Sequence, residues 1–233
     1  MEFKGCDMDF LTLDGAAIGS ALVLALAFWF IGGNYWLFMI LEMFLFLFVS
    51  AIVTKIGTSY KKRKNLYQKN RTAENVVANG LGPLIFACIL YFGALHSIAF
   101  LEHSAIFGFI GSVAAITADK FSSELGVLDG VPRMIFTFKK CKKGESGGLT
   151  IFGLLAGAGG SLVITATVIP FIKYFKIAFP SIWMAAFAVF VGGFAGTISD
   201  SAFGFFENKG YGTKYSTNFL CSIAGGLIAM FLL

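Results

Sequence analysis

The sequence predicts an all-α, polytopic membrane helix bundle of about seven transmembrane helices, filling one domain over residues 1–233. Three observations predict it. Hydrophobic residues make up 57% of the chain and charged residues only 13%, where a soluble domain carries about 25% charged residues. The apolar residues fall in seven runs, most of them near the roughly 20 residues that a spanning helix needs. Between the runs, sixteen of the eighteen lysines and arginines collect on one side of the resulting topology.

The first segment, 14–31, begins at Asp14. Glu2, Asp7 and Asp9 precede it instead of a basic cap, and no cleavage site is evident, so it reads as a retained helix and not a signal peptide. The second, 35–53, runs into a loop with Lys55, Lys61, Lys62, Arg63, Lys64, Lys69 and Arg71. The third, 76–95, starts beside Asn75 and carries Asn79 in its first turn; the fourth, 98–118, ends at Asp119. A polar loop over 119–148 follows, with Lys120, Arg133, Lys139, Lys140, Lys142 and Lys143, and ends on Ser146-Gly147-Gly148 at the head of the fifth segment, 149–172. Lys173 and Lys176 separate that segment from the sixth, 181–203, which holds Asp200, and the seventh, 217–233, opens on Thr217-Asn218. Positively charged loops stay in the cytoplasm during insertion. The amino-terminal end is therefore expected inside and the carboxyl-terminal end outside. A basic surface of this kind also attracts anionic lipid headgroups or recruits a phosphorylated substrate, and the Lys61 to Lys64 run is compatible with either. No basic domain interleaved with aromatics lies outside the membrane, so nucleic acid is not expected as a partner.

Ionisable groups at membrane depth are costly, which makes Asp119, Glu124 and Asp200 functional candidates. Segments four and six both run inward, so Asp119 and Asp200 reach the same face, where Asn75, Asn79, Ser146-Gly147-Gly148 and Asn218 also begin their helices. Gly192, Gly196, Asp200 and Gly204 recur every four residues and form one slowly drifting stripe. Small residues at that spacing let helices approach closely in lipid, but packing has no use for a carboxylate. Aligning Asp119 with Asp200 sets Gly111 opposite Gly192 and Ala115 opposite Gly196, a pattern compatible with a parallel repeat. In the 119–148 loop, acids suited to a divalent ion alternate with bases suited to phosphate. Magnesium is held by one or two carboxylates plus phosphate oxygens, and phosphoryl transfer needs mainly positioning and charge neutralisation. No Walker-type glycine loop and no dinucleotide fingerprint are present, which excludes a soluble nucleotide-binding fold.

The stretch Ala118-Asp119-Lys120-Phe121-Ser122-Ser123-Glu124-Leu125-Gly126, then Pro132-Arg133 with Thr137-Phe138-Lys139, then Gly144 and Ser146-Gly147-Gly148 followed by Gly153, resembles the signature of the integral-membrane family that includes plant phytyl-phosphate kinase. Asn75 with Asn79-Gly80, the run from Gly196 through Asp200-Ser201 to Gly204, and Asn218 extend the likeness over most of the chain. The resemblance implies a kinase that moves a phosphoryl group from a nucleoside triphosphate, CTP by preference, onto an isoprenoid monophosphate of phytyl or geranylgeranyl type. Lys120 stands where a small polar residue is usual, and Lys140-Cys141-Lys142-Lys143 replaces a proline-rich stretch, so the preferred lipid and nucleotide stay open.

On that reading Asp119, Glu124 and Asp200 are expected to hold magnesium and through it the triphosphate. Arg133 and Lys139 would neutralise phosphate oxygens, Ser146, Gly147 and Gly148 would donate hydrogen bonds to them, and Asn75, Asn79 and Asn218 would orient the acceptor. The isoprenoid tail is expected between helices, among the phenylalanines. Asp119 and Glu124 are about 140° apart on an ideal helix, so they can share one ion only if the helix ends near Asp119. Two other readings remain open at this point: a proton- or cation-coupled transporter, and a nucleotidyltransferase that activates a lipid phosphate with CTP.

Overall fold

The computed structural model describes residues 12–67, 70–177 and 181–233. Lys4 and Lys69, counted in the charge bias, and Glu2, Asp7 and Asp9 lie outside the described residues. All seven predicted segments are helices: α1 (Gly15–Ile31), α2 (Trp36–Lys55), α4 (Ala73–Leu95), α5 (Ala99–Gly126), α6 (Ile151–Phe175), α7 (Ile182–Glu207) and α8 (Lys214–Phe231). A short α3 (Thr58–Arg63) lies within the first basic loop. Among the described residues, sheet is limited to two-residue pairs: β1 (Thr12–Leu13) beside β2 (Asn70–Arg71), and β3 (Arg133–Met134) beside β4 (Gly148–Leu149).

Among the described residues, five helices are long and apolar enough to cross a membrane, namely α2 with the 3-10 turn before it, α4, α5, α6 and α7. The expected count of about seven spans therefore stands at five by length and hydropathy. α1 is apolar but has 17 residues, about 25 Å against a hydrocarbon core of about 30 Å. α8 opens on Lys214, Tyr215, Ser216, Thr217 and Asn218, which dilutes its apolar character.

Local chemistry sets the helix ends. Asp14 accepts from Ala17 N at 2.7 Å, Thr150 from Gly153 N at 2.9 Å, and Thr213 forms a capping box with Ser216 that starts α8 three residues earlier than expected. The largest departure is at α5. It continues past Asp119 to Gly126, helped by a Lys120–Glu124 ion pair one turn apart at 2.6 Å.

α5 is the axis of the bundle. Every residue from Ser104 to Ala118 is buried, as expected for a helix apolar on all sides, and α4, α6, α7, α8 and α2 pack around it. Glycines set the register of its neighbours. A methyl group added to Gly111 of α5 or to Gly192 of α7 would meet the same two groups of α8, Gly225 O and Ala229. Gly196 likewise rests on Ala115. Asp119 and Asp200 each lie eight residues beyond those equivalent glycines, about 12 Å further along parallel helices. The glycine contacts thereby bring the two carboxyl groups to one level.

Candidate active site at the basic end of the bundle

Where α5 and α7 finish and α6 and α8 begin, a cavity of about 300 Å³ opens. The carboxyl groups of Asp119 and Asp200 meet in it within hydrogen-bonding contact. Two ionised carboxylates repel at that range, and a proton or a cation between them removes the repulsion. Asp200 Oδ1 is buried and has no hydrogen-bond partner among the described residues. Lys214, the first residue of α8, lies close enough to act electrostatically on both acids.

Glu124 is on the same helix and does something else. Its Oε2 is 2.7 Å from Lys61 Nζ and its Oε1 is 2.6 Å from Lys120 Nζ, and Thr54 Oγ1 donates to Oε1 at 3.0 Å. The Lys61 side chain is 0% exposed, and its ammonium also donates to Thr54 O at 3.1 Å. Because α5 is unbroken through both acids, Asp119 turns to α7 while Glu124 turns to α2 and α3. Among the described residues no three His, Cys, Asp or Glu side chains converge closely enough to hold a metal. All three expected acids line the cavity, but only Asp119 and Asp200 are in contact, and Glu124 does not converge with them on one ion.

The cavity wall also differs in its cations. Lys120, Lys143 and Lys214 line it, whereas Arg133 and Lys139 do not. Arg133 is turned back into its own loop, where Nη1 donates to Phe138 O at 2.9 Å, and Lys139 is exposed on the outside. Lys143 instead reaches Tyr60 on α3, with Nζ 3.1 Å from the hydroxyl, which ties the loop to α3. Lys214 carried a readable signal, since it precedes Asn218 by one helical turn.

Ser146, Gly147 and Gly148 do line the cavity, but their donors are partly committed. Ser146 Oγ donates to Glu207 Oε1 at 3.0 Å, and Gly148 N donates to Glu145 O at 3.1 Å. Gly147 has φ +82°, and a Cβ there would lie 2.6 Å from Phe205 N on α7, so glycine is needed twice over. Glu207, absent from the sequence expectations, also accepts from Thr217 Oγ1 at 3.1 Å. It follows Asp200 by seven residues on the same helix face, a spacing that the stripe could have revealed.

Asn218 lines the polar cavity, while Asn75 and Asn79 line a second, apolar cavity of about 230 Å³ between α1, α2 and α4. Asn218 Nδ2 donates to Asn79 Oδ1 at 3.5 Å, which joins the two. One further buried acid was passed over in the sequence. Glu42 on α2 lines neither cavity, and its Oε2 has no partner among the described residues.

The fold and the site define a multi-pass membrane protein with a charged cavity at one end of its bundle. The chain belongs to a known family: residues 3–222 match the integral membrane protein family DUF92. It is 36% identical over 215 residues to an uncharacterized membrane protein of Methanocaldococcus jannaschii, covering 91% of this chain and 82% of that one. It is also 35% identical over 138 residues to Protein PGR of Arabidopsis thaliana, covering 54% of this chain and 48% of that one. No solved structure matches.

Proposed function

We propose that the protein is a membrane-embedded kinase that transfers the terminal phosphoryl group of a nucleoside triphosphate, CTP by the resemblance, to an isoprenoid monophosphate of phytyl or geranylgeranyl type, at the cytoplasmic end of the bundle. The observation that carries the reading is the Asp119–Asp200 contact, with Asp200 Oδ1 unpartnered, inside a cavity that three lysines also line. An orphaned carboxylate oxygen beside a second carboxyl fits magnesium, which takes one or two carboxylates and completes its shell with water and phosphate oxygens. Asp119 and Asp200 would hold it, and when bound it neutralises charge on the phosphates.

Lys120, Lys143 and Lys214 hold phosphate oxygens by charge, and Glu124 fixes Lys120 and Lys61 in place. The acceptor's phosphate oxygen forms a bond to the γ-phosphorus as the bond from that phosphorus to the β–γ bridging oxygen breaks. Nucleoside diphosphate leaves and the lipid diphosphate remains. A phosphate monoester has a second pKa of about 6 and is largely ionised near neutrality, so the step needs no general base. That suits a cavity with no histidine among the described residues of its wall. Proton or cation transport is the competing reading; the five carboxyl groups of the cavity wall are compatible with it, whereas the three lysines beside them suit phosphate and have no use in carrying a cation.

The test is purified protein with magnesium, CTP or ATP, and geranylgeranyl or phytyl monophosphate, with every product measured. Nucleoside diphosphate with lipid diphosphate supports the kinase. Pyrophosphate release would convert the reading to nucleotidyl transfer, and a folded protein that yields neither product removes both.

A further inference from the structure

The second cavity extends along α1 from Ile18 to Phe28, ten residues or about 15 Å. That is the depth of one leaflet of a hydrocarbon core about 30 Å thick. Its wall is apolar except at one end, where Asn75 and Asn79 stand on the first turns of α4. The deep side is closed by buried Phe28 and Phe46, the first fixed edge-on against Phe109 of α5 at 5.5 Å between ring centroids. The other side opens outward: Leu22 and Phe44 line the cavity and are 61% and 66% exposed. The slot is therefore open to lipid along its length and capped by amides at the basic end.

Those amides lead into the polar cavity. Asn79 spends Nδ2 on Asn75 O at 2.9 Å, and its Oδ1 accepts from Asn218, whose side chain lines the cavity that also holds Lys214 and Lys120. An apolar slot thus ends at a cavity whose wall carries Lys120, Lys143 and Lys214 beside five carboxyl groups, so the lysines, with a cation on the Asp119–Asp200 pair, are what an anionic head would meet. The chemistry that matches both is an amphiphile with an apolar tail and an anionic head.

We propose that this slot between α1, α2 and α4 holds the tail of the acceptor, a prenyl monophosphate that enters sideways between Leu22 and Phe44 and presents its phosphate past Asn79 and Asn218 to the lysines of the polar cavity. The inference rests on the kinase reading for the identity of the acceptor, but its test does not depend on turnover. Nucleotide and lipid then arrive by separate routes, one from water and one from the bilayer. Asn79 and Asn218 form the boundary that the phosphate must pass while the tail stays in the slot.

The experiment uses the full chain in neutral phospholipid nanodiscs, without nucleotide. The probe is a geranylgeranyl monophosphate analogue with a diazirine at the tail end, photolysed and mapped by mass spectrometry. Adducts are expected on the α1 and α2 residues around Phe28 and Ile40. Ala25→Trp fills the slot and should lower that labelling about fivefold or more. Ala21→Phe fills it nearer the polar end and repeats the test should Ala25→Trp fail to fold. The analogue alcohol, lacking phosphate, should label these residues about fivefold less, because it forgoes the charge-assisted contacts of its head. Adducts confined to the lipid-facing sides of α6 and α7 would overturn the proposal. So would slot labelling that is equal for phosphate and alcohol, or unchanged in both filled variants. Slot labelling without any turnover keeps the tail site and removes the kinase; turnover with adducts elsewhere does the reverse.

Discussion

The Asp119–Asp200 pair and the Glu124–Lys61–Lys120 cluster share the last turns of α5 and are built on opposite principles. In the first, two like groups are brought together by glycine contacts one and two turns back along their helices, and one oxygen is left without a hydrogen-bond partner among the described residues. In the second, a carboxylate meets two ammonium groups and a hydroxyl, and every oxygen is satisfied. An arrangement that is incomplete on its own is ready for a ligand. One that is complete already has its role in holding α3 and α2 against α5.

The largest expected effect follows from that contrast. Asp200→Asn should lower turnover by about 10³-fold or more, the scale for removing a group that stabilises charge in the transition state. Thermal stability should hold or rise, because an amide beside Asp119 ends the like-charge contact. The paired measurement is product formation at saturating magnesium and unfolding temperature in detergent. Turnover retained in a folded variant would take Asp200 out of the site altogether.

Glu124→Ala should behave in the opposite sense, costing stability first. Lys61 would be left with a buried charge and only backbone carbonyls to meet it, a loss of about 3 kcal/mol or more. Combining it with Lys61→Met should recover most of that loss, since removing both partners of a buried pair is often near neutral. An unfolding temperature that drops no further than that of an exposed-site control would show that the cluster does not hold α3 in place.

What was legible beforehand divides along the same line. Seven apolar runs were readable because each is long, and Asp119, Asp200, Asn218 and Ser146 to Gly148 were readable because helix ends on one side of a membrane must gather. The extension of α5 was not, since it depends on a Lys120–Glu124 pair that looks in sequence like the start of a polar loop. Lys61 was hidden within a run of cations that reads as a solvated surface facing lipid headgroups. Gly57, at φ +70°, turns the chain into α3, and of the run only Lys61 is buried. That outcome depends on where Glu124 points, which no local pattern records.

Arg133 and Lys139 were the natural phosphate ligands from the family likeness, whereas the cavity is lined by Lys214, Lys143 and Lys120. The reason lies in the loop's own backbone. Pairing β3 with β4 and bridging Arg133 to Lys140 closes residues 133–140 into a small projection, whose Phe136 packs on Phe205 and Phe206 of α7 while Lys139 and Lys140 stay exposed outside the cavity wall. Lys214→Ala should raise the KM for the nucleotide about tenfold, the scale of a lost hydrogen bond to a charged group. Lys139→Ala, at an exposed position outside the cavity, should change it by less than about twofold. Equal effects would mean that the projection folds over the cavity when nucleotide binds. A larger effect at Lys139 would mean that phosphate is held by the loop and not by the bundle, and the cavity would then belong to the metal and the lipid head alone.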